Sequence, residues 1–281
     1  MINYNLHLHT TFSDGKAGPE ACVKKALELG FCALGFTEHS PLPFPTPFSL
    51  KTENAEAYVR ETARLKEMYR GNLKLYRALE FDFIPGVSEN LAGWRQMLQL
   101  DYAIGSVHLV HPGLKEELWF IDGPDRNRYD DGLARLFGGD IKKAVKTYYH
   151  QINQMLESQP FEILGHLDKI KMHNAGRYFH EDEKWYRRLV TETLQLAKAK
   201  GVVVEVNTRG MYKKRSDALF PDHEILRQVK EMGIPVLISS DAHRPEELAL
   251  LMDFAEKRLL ETGFRAVAFF DYGTWKEIPL I

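Results

Sequence analysis

The sequence predicts an α/β chain, and within that class a closed parallel β/α barrel. Short apolar runs alternate with longer amphipathic segments seven times, as strand–helix units do around a parallel sheet. The runs lead into polar clusters: Leu8-His9, Thr37-Glu38-His39, Glu80-Phe81-Asp82, Ser106-Val107-His108, His166-Leu167-Asp168 and Ser240-Asp241-Ala242-His243. In β/α barrels the functional side chains stand at the C-terminal ends of the strands. The alternative is an open doubly wound sheet, but no glycine-rich nucleotide loop follows the first run.

The first strand is expected over residues 2–9, where Leu6 and Leu8 face one side and His7 and His9 the other. A helix then begins at Pro19, suited to a first helical position, and stops at Gly30. Further strands are expected over 31–36, 73–83, 102–107, 161–164, 202–206 and 236–239, with a terminal apolar run over 266–270. Helices are expected over 52–70, 88–98, 140–157, 181–199 and 222–232, and a last one opens at Pro245 and closes near Gly263. Pro41-Leu42-Pro43-Phe44-Pro45-Thr46-Pro47 reads as a stiff loop after the second strand. No linker, repeat or low-complexity tract divides the chain, so residues 1–281 read as one domain.

Bulk composition is that of a globular enzyme. Hydrophobic residues make up 44% and charged residues 27% of 281, enough for one sizeable core. A net charge of −2 gives no overall attraction to nucleic acid or to an anionic membrane. Cys22 and Cys32 lack CxxC spacing and read as small buried side chains in a reducing cytoplasm. The start of the chain carries no basic segment leading into an apolar core, so no secretory signal is expected. No run approaches the length of a membrane span. Nothing in the sequence sets an oligomeric state.

A divalent metal needs imidazoles or carboxylates converging from rigid elements. His7 and His9, two apart on one strand, can present both rings to one ion. His39, Glu80, His108, His166, Asp241 and His243 add ligands at later strand ends, and Asp14 is a further candidate in the loop after the first strand. A tetrahedral ion takes about four ligands, so this set fits two or three ions sharing a carboxylate. Glu80 is the expected bridge, because a carboxylate has two oxygens while imidazole bridges only after losing a proton. Multinuclear sites favour hydrolysis of phosphate or amide bonds. Plainer readings exist for single residues: an HxH on a solvent-facing strand, Asp241 as a helix cap before Pro245, Asp168 as a cap or loop anchor. Five of the eleven histidines, at 9, 39, 108, 166 and 243, fall at or just past a strand end, which favours a shared site. His150, His173, His180 and His223 do not and are read as surface or loop residues.

HxH near the N-terminus, then Thr-Glu-His, a strand-borne Glu, Gly-Ser-Val-His, Gly-His-Leu-Asp and a late Ser-Asp-Ala-His, in that order, resemble the polymerase and histidinol phosphatase (PHP) superfamily from His7 to His243. The full-length layout, the proline-rich loop after Glu38-His39 and the long segment between His108 and Asp140 look like its histidinol-phosphatase branch. The resemblance implies a distorted (β/α)7 barrel and hydrolysis of L-histidinol phosphate to L-histidinol and phosphate in histidine biosynthesis. It also implies a partition of ligands. One metal takes His7, His9, Glu80 and Asp241; a second shares Glu80 and takes His108 and His166; a third takes His39, His243 and Asp14, where many relatives have His. Zn, Mn and Fe all suit such ligation.

Cleavage of a phosphomonoester releases an alkoxide, and a positioned proton donor typically contributes ~10²–10⁴-fold. Asp241 and His243 are the candidate donors, beside Glu80 as the bridging group. Arg209, after Glu205-Val206-Asn207-Thr208, is the first candidate for the phosphate, while Lys213, Lys214 and Arg215 read as solvated surface. The ammonium and imidazole of histidinol phosphate call for carboxylates and an aromatic wall. Asp82, Asp168 and Glu205 are candidates for the first, Phe44 and Trp119 for the second. Rival readings are a phosphodiesterase or nuclease of the same superfamily, a non-catalytic metal-binding module and an amidohydrolase-type barrel. The charge balance argues against nucleic acid, the full ligand set against a non-catalytic module, and the lack of a lysine ending a strand-like run against an amidohydrolase.

Overall fold

The computed structural model describes residues 2–113 and 117–280. Its elements in chain order are β1 (Tyr4–Asn5), α1 (Pro19–Glu28), β2 (Ala33–His39), α2 (Ala55–Met68), β3 (Lys74–Asp82), α3 (Leu91–Leu98), β4 (Tyr102–Ser106), β5 (Leu109–Val110), β6 (Trp119–Phe120), α4 (Arg126–Phe137), α5 (Ile141–Ser158), β7 (Ile163–Leu164), α6 (Lys184–Lys200), β8 (Val203–Asn207), α7 (Arg209–Tyr212), α8 (His223–Met232), β9 (Val236–Ser239), α9 (Met252–Thr262), β10 (Ala266–Asp271) and β11 (Thr274–Pro279). Among the described residues no helix is long and apolar enough to cross a membrane.

The expected barrel is present. Seven parallel strands run in the order β1-β2-β3-β4-β7-β8-β9, and a parallel bridge between Leu8 and Ala242 nearly closes the ring. Through it the His9 N–H donates to the Ala242 carbonyl at 2.8 Å. The strands are buried on both faces, as parallel strands covered by helices must be.

Several boundaries differ from expectation for local reasons. The run over 2–9 forms a ladder only at Tyr4–Asn5, because the Asn5 side chain accepts the His7 N–H at 3.0 Å and donates to Ser240 Oγ and the Leu248 carbonyl. The helix expected from 88 starts at Leu91, capped by Asn90 Oδ1 on Gly93 N–H. The helix expected from Pro245 to Gly263 is broken. A short 3₁₀ turn, Pro245–Glu247, is followed by Leu251 at φ 58°, and α9 begins after it. The Leu248 and Leu250 carbonyls are taken by the side chains of Asn5, Ser240 and Thr208. Not expected were α4, the short α7, the antiparallel β5–β6 pair and β11, which pairs with β10 in a hairpin.

That hairpin packs against tyrosines at the N-terminal end of the barrel. Tyr4 and Tyr76 donate their hydroxyls to the Ala268 and Phe270 carbonyls at 2.8 and 2.9 Å. Tyr102 reaches across to the Leu6 carbonyl at 2.6 Å. Its hydroxyl passes so close to β2 that a Cβ on Gly35 would lie 1.8 Å away. Gly35→Ala is therefore expected to cost roughly 1–3 kcal/mol in denaturant unfolding, the usual range for overpacking. In a Tyr102→Phe background, which removes the clashing atom, the same substitution should cost less. Equal costs in the two backgrounds would show that the hydroxyl does not set the constraint.

Candidate functional site

Strand ends bring the polar clusters together. His7 and His9 follow β1, His39 ends β2, Glu80 and Asp82 lie on β3, His108 follows β4, His166 follows β7, and Asp241 and His243 follow β9. Register levels them: His39 stands opposite Glu80, and Asp82 opposite Ser106. All of these side chains are buried. Asp14 approaches from the loop after β1 with a quarter of its side chain exposed.

The donor atoms fall into groups whose spacing is that of metal ligands. His7 Nε2 and His9 Nε2 are 3.2 Å apart. Glu80 Oε2 lies 3.3 and 3.2 Å from them, and Asp241 Oδ1 3.8 and 3.4 Å. The other Glu80 oxygen, Oε1, lies 3.4 Å from His108 Nε2 and 2.8 Å from His166 Nε2, which are 3.2 Å apart. Donors about 2.0–2.1 Å from a tetrahedral ion are roughly 3.3 Å from one another. A third group joins His9, Asp14, His39 and His243, with donors within 4.8 Å of one another and His243 Nε2 3.2 Å from Asp14 Oδ2. Two further features fit cations here. Paired Nε2 atoms at 3.2 Å can share one proton at most, and Asp14 Oδ1 and Asp241 Oδ1 are buried without a hydrogen-bond partner. Mixed imidazole and carboxylate donors of this kind suit divalent ions.

The electrostatics agree. Burial pushes the Glu80 carboxyl up, but His7, His108, His39 and His166 outweigh it and hold it well below the usual range. Burial likewise raises Asp241, and His7, Arg209, His9 and Lys169 outweigh it downward. Burial lowers His7 and His9, yet surrounding carboxylates raise both, His9 to about 9. The site thus carries an excess of negative charge that attracts protons or metal cations.

Behind the donors stand two carboxylates. Glu205 Oε1 accepts from His7 Nδ1 at 2.5 Å and its Oε2 accepts the His166 N–H at 2.8 Å. Asp82 lies between His39 Nδ1 and His108 Nδ1. Asp241 adopts φ 49°, a conformation uncommon outside glycine though less so for Asp. Its carbonyl is held by Arg209 Nη1 at 2.8 Å and Tyr212 Oη at 3.2 Å.

A cavity of ≈ 140 Å³ opens over these donors. Arg209 lines it, and so does Arg215, which is not the solvated surface residue its Lys/Arg run suggests. Asp82 and Asp168 do not line it. Asp82 is engaged by two imidazoles, and Asp168 is fully buried against Lys171 Nζ at 2.8 Å and the Asp222 N–H at 3.1 Å. The aromatic wall is Phe48 with Phe120, centroids 5.7 Å apart and 6° from parallel. Phe44 is not part of that wall, and Trp119 packs on Tyr129 and Phe137. His173 is buried and bonds the Gly123 carbonyl, while His150, His180 and His223 are exposed. Besides Phe48 and Phe120, two charged wall residues carry no expectation from the sequence. Lys169, 3% exposed, holds Asp122 Oδ2 at 2.8 Å and lies 4.0 Å from Asp241 Oδ2. Lys169 was open to detection as a charge directly after the His166-Leu167-Asp168 strand end; Asp122 lies in a segment with no periodic pattern.

Comparison with known proteins gives a consistent picture. Over 266 residues the chain is 29% identical to the "Probable histidinol-phosphatase" of Deinococcus radiodurans, covering 94% of this chain and 95% of that protein. It is 25% identical to the histidinol-phosphatase of Bacillus subtilis over 85% of this chain and 92% of the other. Its fold matches that of the Lactococcus lactis histidinol phosphate phosphatase, a structure complexed with Zn, L-histidinol and phosphate. The TM-score is 0.69 at 22% identity, over 97% and 98% of the two chains. Residues 5–209 match the PHP domain family, and the chain belongs to that family.

Proposed function

We propose that this protein is a histidinol-phosphatase, hydrolysing L-histidinol phosphate to L-histidinol and phosphate in the cytoplasmic step of histidine biosynthesis. The observation that carries the hydrolytic reading is Glu80, whose two oxygens face two separate donor groups. The substrate follows from the names of relatives that align over most of the chain.

In this reading His7, His9, Glu80 and Asp241 would hold one ion, Glu80, His108 and His166 a second, and Asp14, His39 and His243 a third. When bound, two or three divalent ions of Zn, Mn or Fe supply Lewis acidity toward the phosphoester and water. The chain's own residues do the rest. Arg209 and Lys169 offer N–H donors on the cavity wall to phosphate oxygens. Asp122, the cavity carboxylate outside the ligand groups, replaces Asp82 and Asp168 as partner for the substrate ammonium. Phe48 and Phe120 flank the mouth and offer flat apolar surface to an imidazole. Asp241 or His243 delivers the proton to the departing alkoxide. The cavity volume suits a small ester rather than a nucleic-acid strand.

Purified, metal-loaded protein should release phosphate from L-histidinol phosphate far faster than from a generic aryl phosphate. Turnover of the aryl ester alone would keep the phosphatase reading and remove the substrate. Arg209→Ala should lower kcat/KM by about 10–100-fold, the worth of a hydrogen bond to a charged group; unchanged kinetics would remove Arg209 from the phosphate site. Thermal melting tests the metals separately. Adding Zn or Mn to chelator-treated protein should raise stability, by about 4 kcal/mol at a thousandfold excess over Kd. Glu80→Gln should lose most of that response, and a full response in the variant would contradict the shared carboxylate.

A further inference from the structure

Asp82 lies two residues beyond Glu80 on β3, so the two carboxylates leave the strand on the same face. β3 runs between β2 and β4, which places His39 on one flank of Asp82 and His108 on the other. Asp82 Oδ2 accepts from His39 Nδ1 at 3.0 Å, and Oδ1 accepts from His108 Nδ1 at 2.5 Å. The Asp82 N–H donates to Ser40 Oγ at 3.0 Å, which fixes the backbone beneath it. The carboxylate is 1% exposed, and each oxygen serves one imidazole. It has no remaining edge for a substrate.

An acceptor on Nδ1 keeps the ring proton there and leaves the Nε2 lone pair for a metal. Glu205 does this for His7. Asp82 does it for two rings: His39, which groups with His9, Asp14 and His243, and His108, which lies beside Glu80 and His166; the two rings also meet around Glu80, which stands 3.4 Å from each. We propose that Asp82 is a positioning residue that couples two metal positions, because one carboxylate sets the ligating tautomer in both. The proposal rests on the metal reading above. The position of His7, His9 and Asp241 has its own carboxylate behind it, Glu205 on His7 Nδ1.

The chemistry of the amide makes the proposal testable. Asp82→Asn keeps the shape but offers one acceptor and one NH2 donor. The ring facing the NH2 must present its Nδ1 lone pair, carries its proton on Nε2 and loses its ligating atom. Asp82→Ala releases both rings. Chelator-treated parent, Asp82→Asn and Asp82→Ala would be titrated with Co(II), following visible absorption and counting bound metal, with metal-free melting measured alongside. Loss of a partner behind a ligating histidine typically weakens metal binding 10–100-fold. Asp82→Asn should show that loss at one class of position and Asp82→Ala at two, with the remaining class and the metal-free melting of Asp82→Asn close to the parent. Parent-like titrations in both variants would overturn the proposal. So would an equal loss at every position with a lowered metal-free melting point, which is the signature of a merely structural residue. If Asp82→Ala does not fold, the Asp82→Asn titration decides alone. A parent that binds no cobalt would overturn the metal reading, and this proposal with it.

Discussion

The structure depends on keeping one carboxylate charged while almost all of its surface is taken from solvent. Glu80 is 1% exposed, and burying an isolated carboxylate costs several kcal/mol even after relaxation. Imidazoles arriving from the ends of other strands offset that cost, with the Ser106 hydroxyl adding a 2.7 Å hydrogen bond to Oε1. No single strand can supply such a surround. A ring of parallel strands can, because every C-terminal end opens on the same small volume. Barrel closure and donor convergence are therefore one constraint: in the bridge that nearly closes the ring, Leu8 stands between His7 and His9 in the chain and Ala242 between Asp241 and His243.

The barrel divides its labour along its axis. The N-terminal end is filled by tyrosines whose hydroxyls satisfy backbone carbonyls of the hairpin and of the first strand region. The C-terminal end is filled by imidazoles and carboxylates. Rigid packing below supports precision above, since ligand atoms must hold their spacing to within a fraction of an ångström. Glu205 and Asp82 extend that support outward, turning rings so that the correct nitrogen faces the centre. The strained Asp241 backbone is held by Arg209 and Tyr212, which places one cavity cation in a structural contact as well as on the wall.

The candidate ligand positions are legible in the sequence because strands report their faces with period two and barrels report their active ends by position. His7 with His9, and Glu80 with Asp82, are readable on that basis alone. What the rings would bond behind the site was not readable. Asp82 and Asp168 look alike as acids at strand ends, yet one steers two histidines and the other neutralises Lys171. Those assignments need the neighbouring strand's register and the reach of a side chain from a loop. The cavity wall was partly hidden for the same reason: Phe120 and Asp122 come from a segment whose antiparallel pairing is only two residues long. Half of the hairpin at the N-terminal end was hidden too: the run over 266–270 is legible as β10, but β11 is largely exposed and carries little apolar alternation. Helix α4 left a trace, Tyr129, Leu133 and Phe137 at four-residue spacing, interrupted by charge and by Gly132.

Electron paramagnetic resonance of the protein loaded with Mn(II) to saturation reads the shared carboxylate itself. If Glu80 gives one oxygen to each of two adjacent ions, the bound manganese should show a magnetically coupled spectrum. Spectra of isolated, non-interacting Mn(II) ions at saturation would contradict the shared carboxylate on which this account of the site is built.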